Sequence, residues 1–144
     1  MSILFSKQCE YALQAVLYLA VKGQDEYASI RELTQHLSTP YHFTAKILQD
    51  LALKGLLKSS KGHGGGFTLA LDPEDMTFFH IIEAIDGSAF MTNCVVGFGE
   101  CNGKNPCPLH ERWEPQRESL YQMIISKSIA QMAAETRKPQ YDIR

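Results

Sequence analysis

Three cysteines and one histidine form the group of residues in this sequence with the clearest capacity for chemistry. Cys94, Cys101 and Cys107 follow the pattern Cys-x6-Cys-x5-Cys, and His110 stands three residues after the last of them. Thiolates and neutral imidazole are ligands for zinc, iron and iron–sulfur clusters. The surrounding segment, residues 88–110, is rich in Gly, Asn and Pro, which indicates a loop held in shape by something other than side-chain packing.

Four interpretations of this cysteine pattern are open. A disulfide framework fits poorly, because three is an odd number and cytoplasmic thiols are kept reduced. Structural zinc usually draws on cysteine pairs spaced Cys-x2–4-Cys, and the loop has no such pair. Inert buried thiols would favour a more apolar segment. An iron–sulfur cluster, of the 2Fe–2S or 4Fe–4S type, is larger than one ion and accepts ligands that stand farther apart, so the spacing favours it.

A cluster on three thiolates needs a fourth donor, for which His110 is the local candidate. A carboxylate or a residue from a second subunit is the other candidate, and a weak fourth ligand would leave an iron open to nitric oxide or oxygen. Cys9 stands apart in the first helix and is interpreted as a small buried hydrophobic residue. An enzyme that uses a cysteine and His110 as nucleophile and base is disfavoured, because no third orienting group stands at a recognisable motif.

The elements that must position these residues are mostly helical. Apolar residues at three- and four-residue steps predict five helices, at about residues 7–22, 30–37, 39–54, 77–87 and 113–137. Ser29 and Glu32 have the spacing of a capping box at the second helix, and Thr39 with Pro40 can begin the third. The last helix has the length of a dimer contact. The expected fold is mainly α, a winged helix-turn-helix with a small β-hairpin wing and a long C-terminal dimerisation helix.

The third helix and the segment after it have the pattern of a DNA-binding winged helix. Phe43, Ile47 and Leu51 belong to its inner stripe, which leaves a polar outer face. Two short apolar stretches flank the glycine-rich turn 62–66 and predict a hairpin, because glycine adopts the positive φ angles that such turns need. The residues predicted to contact DNA are Thr39, Tyr41, His42, Thr44, Ala45, Lys46, Gln49, Lys58, Lys61, His63 and Gly64.

Charge is distributed unevenly along the chain. The whole chain has a formal net charge of -2, but residues 1–71 hold 7 Lys and Arg against 5 Asp and Glu, whereas residues 72–144 hold 7 against 11. A basic N-terminal half suits phosphate contacts. The sequence has no apolar run of about 20 residues and no signal-peptide pattern, so we expect a cytoplasmic protein without membrane contact.

Four segments resemble the Rrf2 family of bacterial winged-helix repressors, which includes iron–sulfur regulators. They are residues 10–13, the wing at 61–67, residues 82–87 and the three-cysteine loop. The resemblance covers nearly the whole chain and implies a winged helix (1–75), a connecting helix and cluster loop (76–110) and a dimerisation helix and tail (111–144). It also implies Cys94, Cys101 and Cys107 as cluster ligands, with the fourth position taken by His110 or by Glu10 of the partner subunit.

The chain departs from this family at two points. Six residues separate the first two cysteines where five is commoner, and the wing has Lys61-Gly62-His63 where Arg and Pro are frequent. Lysine lacks the planar fork of arginine, so minor-groove preference is expected to differ. The expected function is a homodimeric repressor that binds a palindromic operator in double-stranded DNA and senses nitric oxide, redox or iron–sulfur status. The alternative is a cluster-free repressor whose cysteines act as a thiol or metal switch.

Overall fold

The computed structural model of the chain describes residues 4–136. Its helices and strands, in chain order, are α1 (Lys7–Lys22), α2 (Ile30–Leu37), α3 (Tyr41–Leu53), β1 (Leu57–Ser60), β2 (Gly66–Leu69), α4 (Phe78–Asp86), α5 (Ala89–Thr92), α6 (His110–Ile125) and α7 (Ile129–Thr136). The described part of the chain is therefore mainly helical with a two-stranded antiparallel hairpin, which confirms the predicted fold class. No helix within it is long and apolar enough to cross a bilayer.

Serine side chains begin the first two helices. Ser6 Oγ accepts a hydrogen bond from a backbone N–H in the first turn of α1, and Ser29 Oγ accepts one from the N–H of Glu32. In the predicted capping box the glutamate would bond back to Ser29. The Glu32 carboxylate instead accepts hydrogen bonds from Tyr18 Oη and Lys22 Nζ, so it links α2 to α1.

α1 lies at the centre of the main hydrophobic core. Its apolar residues recur at three- and four-residue steps, so they form one stripe that the other elements cover. The buried residues of this stripe are Ala12, Ala15, Val16, Leu19 and Ala20. Side chains from α2, α3, the hairpin, α4 and α7 pack against them. Burial of each large aliphatic side chain stabilises the fold by about 1.5–3 kcal/mol. Because α3 and the wing both pack on this core, the core fixes the position of α3 relative to the wing.

The wing is an antiparallel hairpin whose register runs from Leu57 opposite Leu69 to Ser60 opposite Gly66. Residue 28, before α2, extends this sheet: Ala28 and Phe67 exchange backbone hydrogen bonds of 2.9 and 2.8 Å. The wing is therefore attached to the helical core through the main chain as well as through buried side chains.

The C-terminal segment differs from the prediction of one helix over residues 113–137. α6 begins earlier, at His110, and ends at Ile125, and α7 is a separate helix that packs on α1. Ile129 and Ala133 of α7 are buried in the main core, whereas Ile124 of α6 packs against α4. The apolar stripe predicted as a dimer contact is thus divided, and its second half belongs to the molecule's own core. Residue 137 lies outside the described residues.

Candidate nucleic-acid interface and cysteine site

The outer face of α3 carries polar side chains that are open to solvent. Tyr41, His42, Lys46 and Gln49 are exposed and Ala45 is half-buried. The rings of Tyr41 and His42 meet edge to face, with centroids 5.5 Å apart. Side chains in the first turns of a helix that enters the major groove reach base edges. This face therefore keeps five of the predicted DNA contacts accessible to a duplex.

Thr44 was predicted to face outward with these residues, and this orientation is wrong; Thr39, a predicted DNA contact at the start of the helix, is buried beside it. Thr44 is 2% exposed and Thr39 is 7% exposed. The Thr44 hydroxyl lies 2.8 Å from both Thr39 Oγ1 and the carbonyl oxygen of Pro40, which is the N-cap of α3. Phe43, predicted inside, is 37% exposed and packs edge to face on Tyr11. Thr44 occupies the inner position predicted for Phe43, because its hydroxyl has buried partners there.

Thr44→Val is expected to lower the free energy of unfolding by about 1–2 kcal/mol, because valine has the same shape but leaves the buried Thr39 hydroxyl without its partner. The salt dependence of DNA binding should stay unchanged, since Thr44 does not face the duplex. Urea unfolding and a salt titration of DNA affinity measure the two effects. Unchanged stability with a selective loss of affinity would instead place Thr44 in contact with DNA.

The wing presents its predicted DNA-contacting residues to solvent. Lys58, Lys61, His63 and Gly64 are all exposed. Gly62 and Gly64 have φ angles of 90° and 77°, in the left-handed region that favours glycine. The turn is thus shaped by glycine backbone, and it leaves the lysine and histidine side chains accessible.

Lys58 forms an ion pair that was not predicted from the sequence. Its Nζ lies 3.0 Å from Oδ1 of Asp25, and the hydrogen bond from this carboxylate raises the pKa of Lys58. Asp25 stands between α1 and α2 at φ 60°, a left-handed conformation that aspartate adopts more readily than most residues. A DNA phosphate would therefore compete with Asp25 for this lysine.

The cysteine loop contains an isolated antiparallel bridge that was not predicted. Asn93 and Glu100 are paired across it. The hydrogen bonds that flank this pair are Cys94 N–H to the Gly99 carbonyl (2.7 Å) and Cys101 N–H to the Thr92 carbonyl (2.6 Å). The bridge therefore places the backbone segments that carry Cys94 and Cys101 side by side.

Two of the four predicted ligand residues of the loop, Cys101 and His110, are in side-chain contact. Cys101 Sγ lies 3.3 Å from His110 Nδ1, and Cys94 Sγ accepts a hydrogen bond from the backbone N–H of Val96. Backbone N–H groups directed at the sulfur, first that of Phe98, lower the pKa of the Cys94 thiol. Loss of water contact, followed by the interaction with Cys94, raises the pKa of Cys107. Cys107 also interacts electrostatically with Cys101.

His110 has a second partner on its other ring nitrogen. Its Nε2 lies 3.1 Å from a carboxylate oxygen of Glu114, one turn further along α6. A carboxylate in this place fixes the tautomer and the orientation of a metal-ligating histidine. The i,i+4 spacing of the two residues is the sequence signal that could have identified Glu114. Nδ1 is then the nitrogen that faces the thiols.

The donor types of the loop, thiolate and imidazole, are ones that both zinc and iron–sulfur clusters accept. Within residues 4–136 no three His, Cys, Asp or Glu side chains are arranged to hold one metal ion. Zinc needs four ligands at about 2.0–2.3 Å from a common centre, whereas a cluster distributes its ligands over several irons and accepts wider spacing. The backbone N–H groups directed at Cys94 match the hydrogen bonds that ligand sulfurs receive in cluster sites.

Glu10, the other predicted fourth ligand, lies on α1. Its carboxylate is 3.3 Å from Lys7 Nζ and borders a shallow apolar groove lined by Phe5 and Phe78. Its role as a ligand concerns a second subunit and stays a prediction. The neighbouring Cys9 is fully buried, and burial raises the pKa of its thiol to about 12. Cys9 thus has the inert environment predicted for it.

A chain of contacts connects the cysteine loop to α3. Trp113 Nε1 on α6 donates a hydrogen bond to the Asn93 carbonyl in the loop. Further along α6, the Tyr121 ring packs edge to face on α4. Lys54, which follows α3, donates from Nζ to the Ala84 carbonyl of α4. A displacement of the loop can therefore reach α3 through α6 and α4.

Comparison with known proteins gives a consistent result over most of the chain. The model of the Rrf2 family, described as an iron-dependent transcriptional regulator, matches residues 5–135. A protein of Aquifex aeolicus described as an HTH-type transcriptional regulator is 30% identical over 129 residues, which cover 88% of this chain and 89% of that protein. The HTH-type transcriptional regulator IscR of Yersinia pseudotuberculosis is 26% identical over 85% of this chain and 74% of its own length.

Among solved structures, CymR, the global cysteine regulator of B. subtilis, superposes with a TM-score of 0.79. The match covers 94% of this chain and 99% of CymR at 22% identity. At this identity the likeness shows a shared fold.

Proposed function

This chain belongs to the Rrf2 family of transcriptional regulators, and from that premise we propose that it is a homodimeric DNA-binding repressor that senses nitric oxide, redox or iron–sulfur status through a cysteine-ligated cluster. The proposed functional parts are the winged helix (1–75), the connecting helix and cysteine loop (76–110) and the dimerisation segment (111–144). The operator is double-stranded and palindromic, because a two-fold dimer reads two equal half-sites. The repressor acts in the cytoplasm, where this DNA lies.

The group of Cys94, Cys101, Cys107 and His110 is the observation that carries the sensing proposal. Three soft thiol donors and one imidazole stand in or next to one loop that is rich in Gly, Asn and Pro, Cys101 contacts His110, and Trp113 joins this loop to α6. Buried inert thiols would not require a carboxylate to orient the adjacent histidine. Glu114 does so here, and this arrangement is typical of a ligand site.

In the proposed mechanism, the chain's own residues hold the cluster and transmit its state. A bound cluster supplies iron-centred reactivity toward nitric oxide or oxygen. Three thiolates hold it, and either His110 through Nδ1 or Glu10 of the partner subunit completes the ligand set. Because Trp113 bonds to the loop backbone, a change in the loop alters the position of α6 and, through α4, that of α3.

α6 supports the proposed dimer. It has 16 residues, and Met123 on it is exposed although it is a large apolar side chain. A second copy of the same helix would remove this side chain from water, as a symmetric contact does. The spacing of two recognition helices would then depend on the elements that touch the cysteine loop.

Purification without oxygen tests the proposal directly. Iron and acid-labile sulfide in comparable amounts, with visible absorption that changes on addition of nitric oxide, are the expected result. The same samples are then tested for binding to a DNA fragment that the protein selects from genomic DNA. A colourless protein that stays colourless after incubation with iron and sulfide under reducing conditions would refute the cluster while leaving the DNA-binding proposal standing.

A second candidate function is a cluster-free repressor whose cysteines act as a thiol or metal switch. The free state of all four cysteines favours it, together with the electrostatic interaction of Cys107 with Cys94 and Cys101. Zinc, or no metal at all, in the anaerobic protein would support this candidate, whereas iron with labile sulfide would exclude it.

Asp25→Asn is expected to increase DNA affinity roughly two- to fivefold at low salt, because it frees Lys58 to bind a phosphate and an exposed ion pair is weak. Lys58→Gln should have the opposite effect and reduce the salt slope by about one. Fluorescence anisotropy across a salt series measures both. When Lys58→Gln is already present, Asp25→Asn should have little further effect on DNA affinity. If Asp25→Asn raised the affinity equally with and without Lys58→Gln, Asp25 would act only through net charge.

A further inference from the structure

A notch separates the C-terminal end of α3 from the wing. It has a volume of about 520 Å³ and is lined by Gln49, Ala52 and Leu53 of α3, Ser59 of β1 and Phe67 of β2. Phe67 is buried and Ala52 is half-buried, whereas Leu53 is 87% exposed. A single exposed leucine is common on protein surfaces, so its meaning depends on where it lies.

Leu53 lies on the outer face of α3. His42, Lys46, Gln49 and Leu53 are separated by four, three and four residues, a spacing that places them on one side of a helix. All four are exposed, and the buried residues of α3 lie on the opposite side. A duplex that contacts the first three residues therefore also approaches Leu53, at the end of the helix nearest the wing.

The surroundings of the notch suit a polyanion. The sequence has no acidic residue between positions 51 and 71, while Lys46 and Lys58 are exposed. Asp25 pairs with Lys58 on the wing and does not line the notch. Gln49 and Ser59 are exposed at its edges and carry groups that donate hydrogen bonds to phosphate oxygens. Basic and polar groups thus surround a small apolar centre.

We propose that this notch binds the sugar–phosphate backbone of one DNA strand, with the Leu53 side chain packed on a deoxyribose ring. The inference rests on the proposed DNA-binding function, in which α3 enters a major groove and the wing reaches the adjacent minor groove. The backbone of one strand separates two such grooves, so it passes between α3 and the wing. The sugar offers Leu53 an apolar surface, and the phosphates on either side of it face Gln49 and Ser59.

This contact adds affinity without adding sequence preference. A deoxyribose is the same under all four bases, whereas base edges are read by side chains in the first turns of a helix in the major groove. Tyr41 and His42 lie in the first turn of α3, and Leu53 lies in its last turn. Leu53 therefore strengthens binding to any duplex that the wing and α3 straddle.

Two substitutions at Leu53 test the proposal in the full chain, and neither disturbs the core because the side chain is exposed. Leu53→Ala should weaken binding roughly three- to tenfold per subunit, because about half of an apolar side chain returns to water. The loss should be equal for a duplex that the protein selects from a random-sequence pool and for an unrelated duplex. Leu53→Lys should steepen the salt dependence of log affinity by about 0.9 per subunit, because its ammonium group would meet a phosphate.

Leu71→Lys is the matched control for the added charge. Leu71 is also an exposed leucine, but it lies beyond the end of β2 and does not line the notch. Its salt slope should stay close to that of the wild type. A second control replaces every thymine of the selected duplex by deoxyuridine, which lacks the methyl group that an apolar side chain can read. The effect of Leu53→Ala should persist on this duplex.

Fluorescence anisotropy across a salt series measures all of these values. Unchanged affinity in Leu53→Ala, or equal slopes in the two lysine variants, would overturn the proposal. A loss confined to the selected, thymine-containing duplex would also overturn it, because Leu53 would then contact a base. If the wild-type chain binds neither duplex, the proposed DNA-binding function is wrong and the strand contact falls with it. Wild-type binding that the Leu53 substitutions leave intact removes the strand contact alone.

Discussion

Cys107→Ala is expected to abolish the visible absorption of protein purified without oxygen and to change its affinity for operator DNA roughly 5- to 150-fold. The substitution removes one of the three proposed thiolate ligands, a thiol that interacts electrostatically with the other two. The effect on DNA follows because the same loop is bonded to Trp113 of α6. Iron analysis with an absorption spectrum measures the first change, and fluorescence anisotropy on the same sample measures the second.

Cys9→Ala is the matched control for this prediction. It removes a thiol that is buried in α1 and whose high pKa excludes ligation, so the chromophore and the DNA affinity should both persist. Absorption and iron content equal to wild type in Cys107→Ala would show that this residue is not a ligand. Loss of the chromophore with unchanged DNA affinity would leave a cluster that has no part in regulation.

The winged helix could be predicted from the sequence because its local signals agree with its packing. α1 ends at Gly23, α4 lies between Thr77 and Gly87 as predicted, and the glycine turn lies where the hairpin requires it. Each of these residues is favoured at a helix end or in a turn, and each lies next to the element that it begins or ends. Agreement of this kind between local preference and global fold is typical of natural sequences.

The break between α6 and α7 was missed because the continuous apolar spacing predicted one helix, although the sequence contains a helix-start signal at Ser128. Ser128 Oγ accepts a hydrogen bond from the N–H of Gln131, and the Gln131 side chain accepts one from the N–H of Ser128. This is a complete capping box, and it begins a new helix at Ile129. Continuous apolar spacing across residues 120–132 suggested a single helix, because neither glycine nor proline marks the break.

Pattern alone could not decide which of two adjacent residues on α3 is buried. Phe43 and Thr44 both stand at the edge of the inner stripe, and hydrophobicity favours burial of the phenylalanine. The structure buries the threonine because Thr39 and Pro40 offer partners for its hydroxyl. Such a choice depends on tertiary hydrogen bonds, which a helical period does not contain.

Gly66→Ala is expected to lower the free energy of unfolding by about 2–4 kcal/mol and Tm by roughly 5–15 °C. Gly66 has a φ angle of 139°, and a Cβ atom there would lie 2.2 Å from the carbonyl oxygen of Ala28. That carbonyl accepts the hydrogen bond from Phe67 that ties the wing to the core. The clash involves backbone on both sides, so a side-chain rotation cannot relieve it, and DNA affinity should fall because the wing is displaced.

Gly62→Ala separates this close approach from the general cost of replacing a wing glycine. Gly62 also has a positive φ, 90°, but a Cβ atom there meets nothing within 4 Å. Gly62→Ala should therefore lower the free energy of unfolding by about 1–2 kcal/mol, which is the strain of an alanine in the left-handed region. Thermal and urea unfolding compare the two variants. Equal losses would mean that the Ala28 contact contributes nothing beyond backbone strain, whereas a larger loss for Gly66→Ala would establish the backbone bridge at Ala28 as the attachment of the wing.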